Sequence, residues 1–220
     1  MMNINFYESI KVELLRSTPH PMEILSMALT MTMKKDFNKD IPPNILKYIV
    51  KMNHTSVLEH INYTFFIHKA SRSFLAQITR HRIASYTSGS QHYQTYSDYE
   101  ITGSSKMGET QKKKYLDSCE RAMKDYNDLI AMGVPKYEAR QLLPNAMENN
   151  LMITINARSL INLLNLRLCH RNTDEIQIIA EKMLALVKNH LPELWAHIGT
   201  DCFTDKCKQG KMSCGVVWGK

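Results

Sequence analysis

The run Arg80-His81-Arg82 places the strongest constraint on the fold, because three adjacent cationic or ionisable side chains cannot all lie on one buried helix face. The run follows an apolar segment and precedes the loop Thr87-Ser88-Gly89-Ser90. We therefore predict a helix over residues 73–81 that ends at a polar loop. Guanidinium groups, hydroxyls and open backbone N–H groups together bind phosphate or carboxylate. A solvated basic helix end is the alternative interpretation of the same residues.

Length and charge restrict the class of protein. A chain of 220 residues can bury a substantial core as one domain. We predict one α+β domain over residues 1–200 and a Cys-containing tail over residues 201–220. The chain has no apolar run long enough to span a membrane, and its N-terminus lacks the basic segment followed by an apolar one that marks a secretory signal. We therefore expect a cytoplasmic protein without a membrane partner. The net charge is +7, but the sequence has no stripe of basic residues interleaved with aromatic ones. This pattern favours small anionic ligands over nucleic acid.

Hydrophobic periodicity and proline positions predict mixed helices and strands without βαβ regularity, which is typical of the α+β class. The predicted strands cover residues 4–15, 62–68 and 151–155. The predicted helices cover residues 22–33, 42–52 (opened by Pro42 and Pro43), 73–81, 111–132, 138–143, 157–168 and 174–190. Residues 86–105 are predicted to be a polar loop. No Gly-x-Gly-x-x-Gly follows a strand, so a Rossmann nucleotide site is not expected.

Several motifs, in a fixed order, resemble those of the flavin-dependent thymidylate synthases. They are His54–His60, Gln77 with Arg80-His81-Arg82 and Ser90, Ala139–Pro144, Asn156–Leu160 and Asn162–Arg167. The resemblance implies mixed helices with a small antiparallel sheet. It also implies a homotetramer in which each active site is built from several subunits.

The resemblance implies a catalytic domain for reductive methylation of dUMP to dTMP. Methylenetetrahydrofolate supplies the carbon, and FAD that is reduced by NADPH supplies the hydride. The implied partners are thus small molecules: a dinucleotide, a nucleotide phosphate and a folate carboxylate. Arginines are suited to bind all three anions.

The resemblance assigns one set of residues to the flavin. The implied FAD-binding residues are Ser56, Arg80, His81, Arg82, Ser88, Asn156, Arg158 and Asn162. Arg158 and Asn162 are four residues apart and share one helix face. Asn156 is placed to cap that helix, whose N-terminus suits a phosphate, and a plain N-cap is the alternative interpretation of Asn156.

The resemblance assigns a second set to the nucleotide. The implied dUMP-binding residues are Gln77, Arg80, Ser90, Gln91, His92, Arg140 and Arg167. Arg167 is also the implied catalytic residue, because a cation at the pyrimidine edge stabilises negative charge at N3 and O4. An ordinary cation at a helix C-terminus is the alternative. No activating His–Asp pair is evident for Ser90, so a serine nucleophile is not expected.

The substrate loop departs from the family pattern. The family usually has Ser-Gly-Arg-Tyr or Ser-Gln-Arg-Tyr where this chain has Ser90-Gln91-His92-Tyr93, and Ser88 replaces a common acid. A permanent guanidinium is thereby exchanged for an imidazole. UMP or another uridine nucleotide is the alternative substrate. A non-catalytic nucleotide-binding relative and, more remotely, an RNA-binding protein are the alternative functions.

The late cysteines form a possible metal site. Cys202, Cys207 and Cys214 follow the spacing C-x4-C-x6-C, and Cys169 stands at the end of the Arg167 helix. Four thiolates can hold zinc in a tetrahedral site, so these four residues predict zinc. Reduced cysteines in a packed tail are the alternative interpretation. A disulfide framework is not expected in a cytoplasmic chain.

The exchange at His92 predicts pH-dependent binding. We expect the affinity for dUMP to fall as pH rises through the range in which a histidine loses its charge. Equilibrium binding of dUMP measured between roughly pH 6 and 8 checks this, and a constant affinity across that range would contradict it.

Overall fold

The computed structural model describes residues 2–33, 42, 44–94, 96, 99–204 and 206–219. Pro43, predicted to help open the second helix, lies outside these residues, as do positions 205 and 220 of the predicted tail. The chain divides into two compact units. Unit 1 comprises Met1–Lys11, Ile67–Arg80 and Tyr86–Met152, and unit 2 comprises Val12–Phe66, His81–Ser85 and Ile153–Lys220. The division into a domain over 1–200 and a tail stays a prediction.

Helices and strands follow each other without regular alternation. The strands are β1 (Ile4–Phe6), β2 (Val12–Ser17), β3 (Asn62–Ser71), β4 (Ser85–Ser88), β5 (Ile101–Gly103) and β6 (Glu148–Asn156). The helices are α1 (Pro21–Met33), α2 (Asn44–Lys51), α3 (Arg72–Ile78), α4 (Glu109–Ala131), α5 (Lys136–Ala139), α6 (Ala157–Arg167), α7 (Asp174–His190), α8 (Pro192–Trp195) and α9 (Asp201–Thr204). Short 3₁₀ helices cover Tyr7–Ser9, Thr55–His60, Arg140–Leu142 and Gly210–Met212. Among the described residues, no helix has both the length and the apolar character needed to cross a membrane.

The strands form two small sheets. One has four strands in the order β2-β3-β6-β4, and the other pairs β1 with β5 in parallel. Strands β2 and β3 run antiparallel, because the Thr18 amide bonds to the Asn62 carbonyl while the His68 amide bonds to the Lys11 carbonyl. The predicted α+β class with a small antiparallel sheet is confirmed, with the β1–β5 pair as a parallel addition.

Two predicted elements are wrong. The strand over residues 4–15 is interrupted at Tyr7–Ser9, where the Ser9 hydroxyl donates to the Phe6 carbonyl at 2.7 Å and turns the chain. The polar loop over residues 86–105 contains β5 and most of β4. Polar composition concealed β5, although the side chains of Tyr99 and Ile101 are buried together in unit 1.

Helix α4 closes that core in unit 1. Its Cys119 packs with Tyr99, Ile101 and Met147, and these four residues are buried. Burial raises the pKa of the Cys119 thiol. Because the thiolate is the reactive form of cysteine, Cys119 is a packing residue.

The core of unit 2 is built around Trp195 and Tyr63, both fully buried. The Trp195 indole donates to the Tyr63 hydroxyl at 3.0 Å, and that hydroxyl lies 3.4 Å from His190 Nδ1. Burial raises the pKa of Tyr63 to about 12, with the Trp195 bond acting in the opposite direction. Tyr63 therefore stays neutral and accepts the only hydrogen bond that an indole can donate.

Tyr63→Phe tests this buried contact. The change leaves the Trp195 N–H without its acceptor, so we expect a loss of about 1–3 kcal/mol in the free energy of unfolding. Urea unfolding measures it. Tyr48→Phe removes a hydroxyl from an exposed residue of the same unit and should change stability by less than about 0.5 kcal/mol. Equal effects of the two changes would contradict the role given to Tyr63.

Candidate active site

Helix α6 supplies the frame of the site in unit 2. Its Leu160, Leu163 and Leu164 are fully buried, while Arg158 and Asn162 are exposed on the other side. The Asn156 carbonyl oxygen Oδ1 accepts the Ser159 amide at 2.8 Å, so the predicted N-cap is confirmed. The shared face of Arg158 and Asn162 is also confirmed, whereas their binding roles stay predictions.

The first motif lies against the start of α6. The Ala157 amide donates to the Ile61 carbonyl at 2.7 Å, directly after the 3₁₀ helix Thr55–His60. Arg158 Nη1 lies 2.5 Å from Glu59 Oε1, with 44% and 48% of the two side chains exposed. Ser56 is exposed on the same 3₁₀ helix. Unit 2 therefore brings two distant predicted flavin segments together, and Glu59 is a partner that sequence reasoning did not assign.

Arg167 is held at two points of its guanidinium group. Its Nε donates to His81 Nε2 at 3.0 Å, and its Nη1 donates to Asn172 Oδ1 at 3.3 Å. The Asn172 amide nitrogen in turn donates to the carbonyls of Leu166 and Cys169 at the end of α6. The predicted catalytic residue is thus fixed to the predicted flavin residue His81, which comes from another part of the chain.

His81 must be neutral to accept this bond. Burial, and after it the positive charge of Arg167, lowers the pKa of His81 to about 4. Because Nε2 is the acceptor, the neutral ring carries its proton on Nδ1. Arg82, the next residue, is exposed, and its role toward the flavin stays a prediction.

Arg158 and Arg167 lie on different faces of α6. Nine positions separate them in the sequence, which corresponds to about two and a half helical turns. The helix therefore presents Asn162 beside Arg158 and directs Arg167 away from both. One copy of α6 does not assemble all of its predicted ligand contacts on a single face.

The substrate loop forms a separate cluster in unit 1. The His92 ring stacks on Tyr137 with 5.8 Å between ring centroids and an interplanar angle of 24°. Arg140 Nε donates to the Tyr137 carbonyl at 3.1 Å, and the His92 amide donates to the Ser90 hydroxyl oxygen at 3.3 Å. Three predicted nucleotide residues are thus brought together. Tyr137 links them and was not found from the sequence, because it stands outside the recognised motifs.

Unit 1 also contains a cavity of about 420 Å³. Its lining residues are Arg72, Leu75, Ala76, Thr79, Tyr86, Ser88, Gln91, Leu143, Pro144 and Asn145. Ser88 and Gln91 were predicted as ligand contacts, and Gln91 Nε2 lies 3.6 Å from the sulfur of Met147. The predicted nucleotide residues Gln77 and Arg80 are not part of the described lining.

Arg72 is the cation of this cavity, and sequence reasoning missed it. Leu75, Ala76 and Thr79 follow Arg72 at the i+3, i+4 and i+7 spacing that places residues on one face of a helix. That spacing is the signal in the sequence that could have identified Arg72. Arg72 Nη1 donates to the Gly89 carbonyl at 3.3 Å. The residue thus connects the start of α3 to the substrate loop.

A second cavity, of about 350 Å³, lies in unit 2 between α6 and the C-terminal segment. Asn162, Cys169, Cys202 and Cys207 are among its lining residues. Within the described ranges, no group of three or more His, Cys, Asp or Glu residues is arranged to hold a metal ion. The predicted zinc site of Cys169, Cys202, Cys207 and Cys214 is therefore not formed there.

The thiols contact protein groups, and Cys202 and Cys214 share one of them, the Val216 carbonyl. Cys202 Sγ lies 3.0 Å from the Thr200 hydroxyl, and Cys214 Sγ lies 3.5 Å from the Val216 carbonyl. A hydrogen bond with the Ser213 side chain lowers the pKa of Cys207, and a hydrogen bond with the Gln209 backbone adds a smaller effect in the same direction. All four cysteines are free thiols.

Comparison with known proteins decides the family. The sequence profile described as "Thymidylate synthase complementing protein" matches residues 13–193, which is most of the chain. The chain belongs to the flavin-dependent thymidylate synthases. The predicted flavin and nucleotide residues of this family member all lie inside the matched region, whereas Cys202, Cys207 and Cys214 lie beyond it.

Curated relatives agree with the profile. The flavin-dependent thymidylate synthase of Geobacter sulfurreducens is 34% identical over 218 residues, which cover 94% of this chain and 94% of that protein. The Clostridium tetani protein of the same name is 30% identical and covers 94% of this chain and 93% of its own length.

A solved structure supports the fold. The UMP/dUMP methylase PolB from Streptomyces cacaoi, bound with 5-Br dUMP, superposes with a TM-score of 0.75 at 21% sequence identity. The match covers 88% of this chain and 96% of PolB. At this identity the likeness establishes the shared α+β fold of this flavin-dependent thymidylate synthase.

The His81–Arg167 contact predicts a pH-dependent stability. Between about pH 4 and 6.5 the unfolded state binds a proton at His81 that the folded state does not, so stability rises with pH in this window and is lost as pH falls. His81→Gln should remove this part of the dependence, whereas His60→Gln, at an exposed histidine, should leave it unchanged. Urea unfolding at several pH values measures it, and parallel profiles for wild type and His81→Gln would contradict the assignment.

Proposed function

We propose that this chain converts dUMP to dTMP by reductive methylation at C5, with methylenetetrahydrofolate as the carbon donor and FAD, reduced by NADPH, as the hydride source. One observation carries the proposal. In a chain that belongs to the flavin-dependent thymidylate synthases, Arg167 is fixed at two points by neutral His81 and by Asn172. A permanently charged, oriented guanidinium is the group that this reaction requires at the pyrimidine.

The residues of unit 2 fit a flavin dinucleotide. Arg158 and Asn162 are exposed on one face of α6, and the capped N-terminus of that helix favours a phosphate. In the described part of the chain, phosphate binding at Arg158 competes with a half-exposed Glu59 ion pair, a kind of contact that contributes little. When bound, the reduced flavin supplies the hydride.

Arg167 acts on the nucleotide in this proposal. Its guanidinium lies at the uracil edge and stabilises the negative charge that develops at N3 and O4 as C5 and C6 react. His81 orients the guanidinium by accepting a hydrogen bond from Arg167 Nε. Because His81 stays neutral, it places no second positive charge beside that of Arg167. Protonation of His81 would remove the acceptor and place two cations in contact.

The cluster in unit 1 binds the phosphate of dUMP. Arg140 provides a permanent charge, and Ser90 and His92 provide a hydroxyl and an imidazole. Tyr137 keeps His92 in place by stacking. These contacts hold the anionic end of the nucleotide.

We infer a homotetramer because one chain presents its flavin face and Arg167 on different sides of α6. Residues of other subunits then complete each site, as the family resemblance implies. The cytoplasmic location stays a prediction, and zinc has no part in the proposal.

Release of tritium from dUMP labelled at C5 tests the function. We expect the purified protein, with methylenetetrahydrofolate and NADPH, to release tritium from labelled dUMP much faster than from labelled UMP. Faster release from UMP would identify a methylase of another uridine nucleotide. Colourless protein that binds dUMP without release would identify a non-catalytic relative.

Arg167→Lys tests the residue that carries the proposal. Lysine keeps the charge but loses the planar fork that His81 and Asn172 hold, so we expect kcat to fall by about a hundredfold or more. The bound flavin, measured by visible absorbance, should be retained. Arg121→Lys, on the exposed surface of α4, is the matched control and should keep full activity. Unchanged kcat in Arg167→Lys would contradict the role of Arg167.

A further inference from the structure

The C-terminal segment of unit 2 lies beyond the region that the family profile matches, and the proposed reaction gives it no role. Its described residues are 201–204 and 206–219, and they are called the C-terminal strap below. The strap contains three of the four late cysteines, and its two ends contact each other.

An aromatic pair joins the two ends of the strap. The Phe203 and Trp218 rings meet edge to face, with 5.5 Å between their centroids and an interplanar angle of 74°. A Cβ atom at Gly219 would lie 3.3 Å from Phe203 Cδ2, so the chain after Trp218 also lies against this ring. The Trp218 indole N–H donates to Glu181 Oε1 on α7 at 3.2 Å. The second end of the strap is thus anchored to the first end and to α7.

Two thiols lie where the ends of the strap meet. Cys202, which precedes Phe203, has its Sγ 4.0 Å from the Val216 carbonyl oxygen, and Cys214 Sγ lies 3.5 Å from the same oxygen. Two sulfur atoms that contact one oxygen atom are near neighbours. Cys214 is exposed and Cys202 is half-buried, so a dissolved reagent reaches Cys214 first.

Cys207, the third thiol of the strap, contacts different groups. Its hydrogen bonds are with the Ser213 side chain and the Gln209 backbone. Among the residues that the structure describes, no three His, Cys, Asp or Glu side chains are arranged around a common metal position. A disulfide needs only two thiols that can approach each other, and Cys202 and Cys214 meet that requirement.

Packing in the reduced protein prepares these two thiols for a bond. A link between Cys202 and Cys214 closes a loop, and loop closure normally costs conformational entropy. The Phe203–Trp218 contact and the shared Val216 carbonyl already hold the ends of this loop together. The effective concentration of one thiol at the other is therefore high, which favours an intramolecular bond.

We propose that Cys202 and Cys214 form a reversible dithiol–disulfide pair that reacts with low-molecular-weight disulfides and fastens the strap. The Cys214 thiolate, after losing its proton to water, attacks one sulfur of the small disulfide and releases one small thiolate. The Cys202 thiolate then attacks the Cys214 sulfur of the mixed disulfide and releases the second small thiolate. Both released thiolates take up protons, so two protein thiols are oxidised and one small disulfide is reduced to two thiols.

Reversibility agrees with the cytoplasmic location that the sequence predicts. Disulfides in reducing compartments are usually transient or redox-sensing, whereas a permanent disulfide framework is typical of secreted proteins. The inference does not depend on the proposed reaction, and its tests need no turnover.

Oxidised glutathione is the probe for the first test. Full-length protein is incubated with it, free thiols are blocked with iodoacetamide, and the unreduced peptides are mapped by mass spectrometry. We expect a Cys202–Cys214 cross-linked peptide as the main product, and its loss after a reductant is added. Cys202→Ser and Cys214→Ser should each abolish this product, whereas Cys169→Ser should retain it.

Three results of this mapping would overturn the proposal. They are glutathione that stays attached to separate cysteines, a main cross-link that includes Cys207, and thiols kept from reacting by a zinc ion that copurifies with the protein.

Trypsin provides a second test because Lys206, Lys208 and Lys211 are exposed inside the loop that the disulfide closes. Cleavage after Lys211 should release the C-terminal peptide from reduced protein under denaturing conditions. In oxidised protein the peptide should stay attached through Cys214 until a reductant is added. Cys214→Ser is the control and should release the peptide in both conditions. Equal release from oxidised and reduced wild type would overturn the proposal.

Discussion

The hydrogen bond from Arg167 to His81 is the contact on which the proposed chemistry depends. It forms only while the imidazole is neutral, since a protonated ring has no acceptor and would repel the guanidinium. Burial supplies that condition by lowering the pKa of His81 to about 4. The folded core thus sets the charge state of one residue and, through it, the orientation of another.

The same core positions the other ligand contacts of unit 2. Burial of the leucines of α6 fixes the rotation of the helix, so Arg158 and Asn162 must face outward. The Ile61–Ala157 backbone bond joins the first motif to the helix start. In unit 1, stacking on Tyr137 and the Arg72–Gly89 bond hold the substrate loop. In unit 2, buried groups thus fix the exposed functional ones.

Local features were predictable from the sequence. The apolar repeat of α6 and α7 and the N-cap at Asn156 depend on neighbouring residues, and the structure confirms them. The contact between His81 and Arg167 spans 86 positions, so no local pattern contains it. The zinc site stays a prediction for a related reason, because cysteine spacing does not determine where the thiols lie.

Functional residues that stand outside the recognised motifs were harder to predict from the sequence. Tyr137 and Arg72 act through stacking and through the wall of a cavity, both of which arise only when distant segments pack together. The strand β5 escaped detection because polar neighbours concealed two buried side chains, Tyr99 and Ile101.

The charge state of His81 is the most direct test of the account. Nitrogen NMR of histidine-labelled protein, with the His81 signals assigned by their loss in His81→Gln, reports which ring nitrogen carries a proton. The account predicts a neutral ring protonated at Nδ1, with Nε2 as an acceptor, from neutral pH down to about pH 5. An imidazolium at pH 6, or a proton on Nε2, would contradict it.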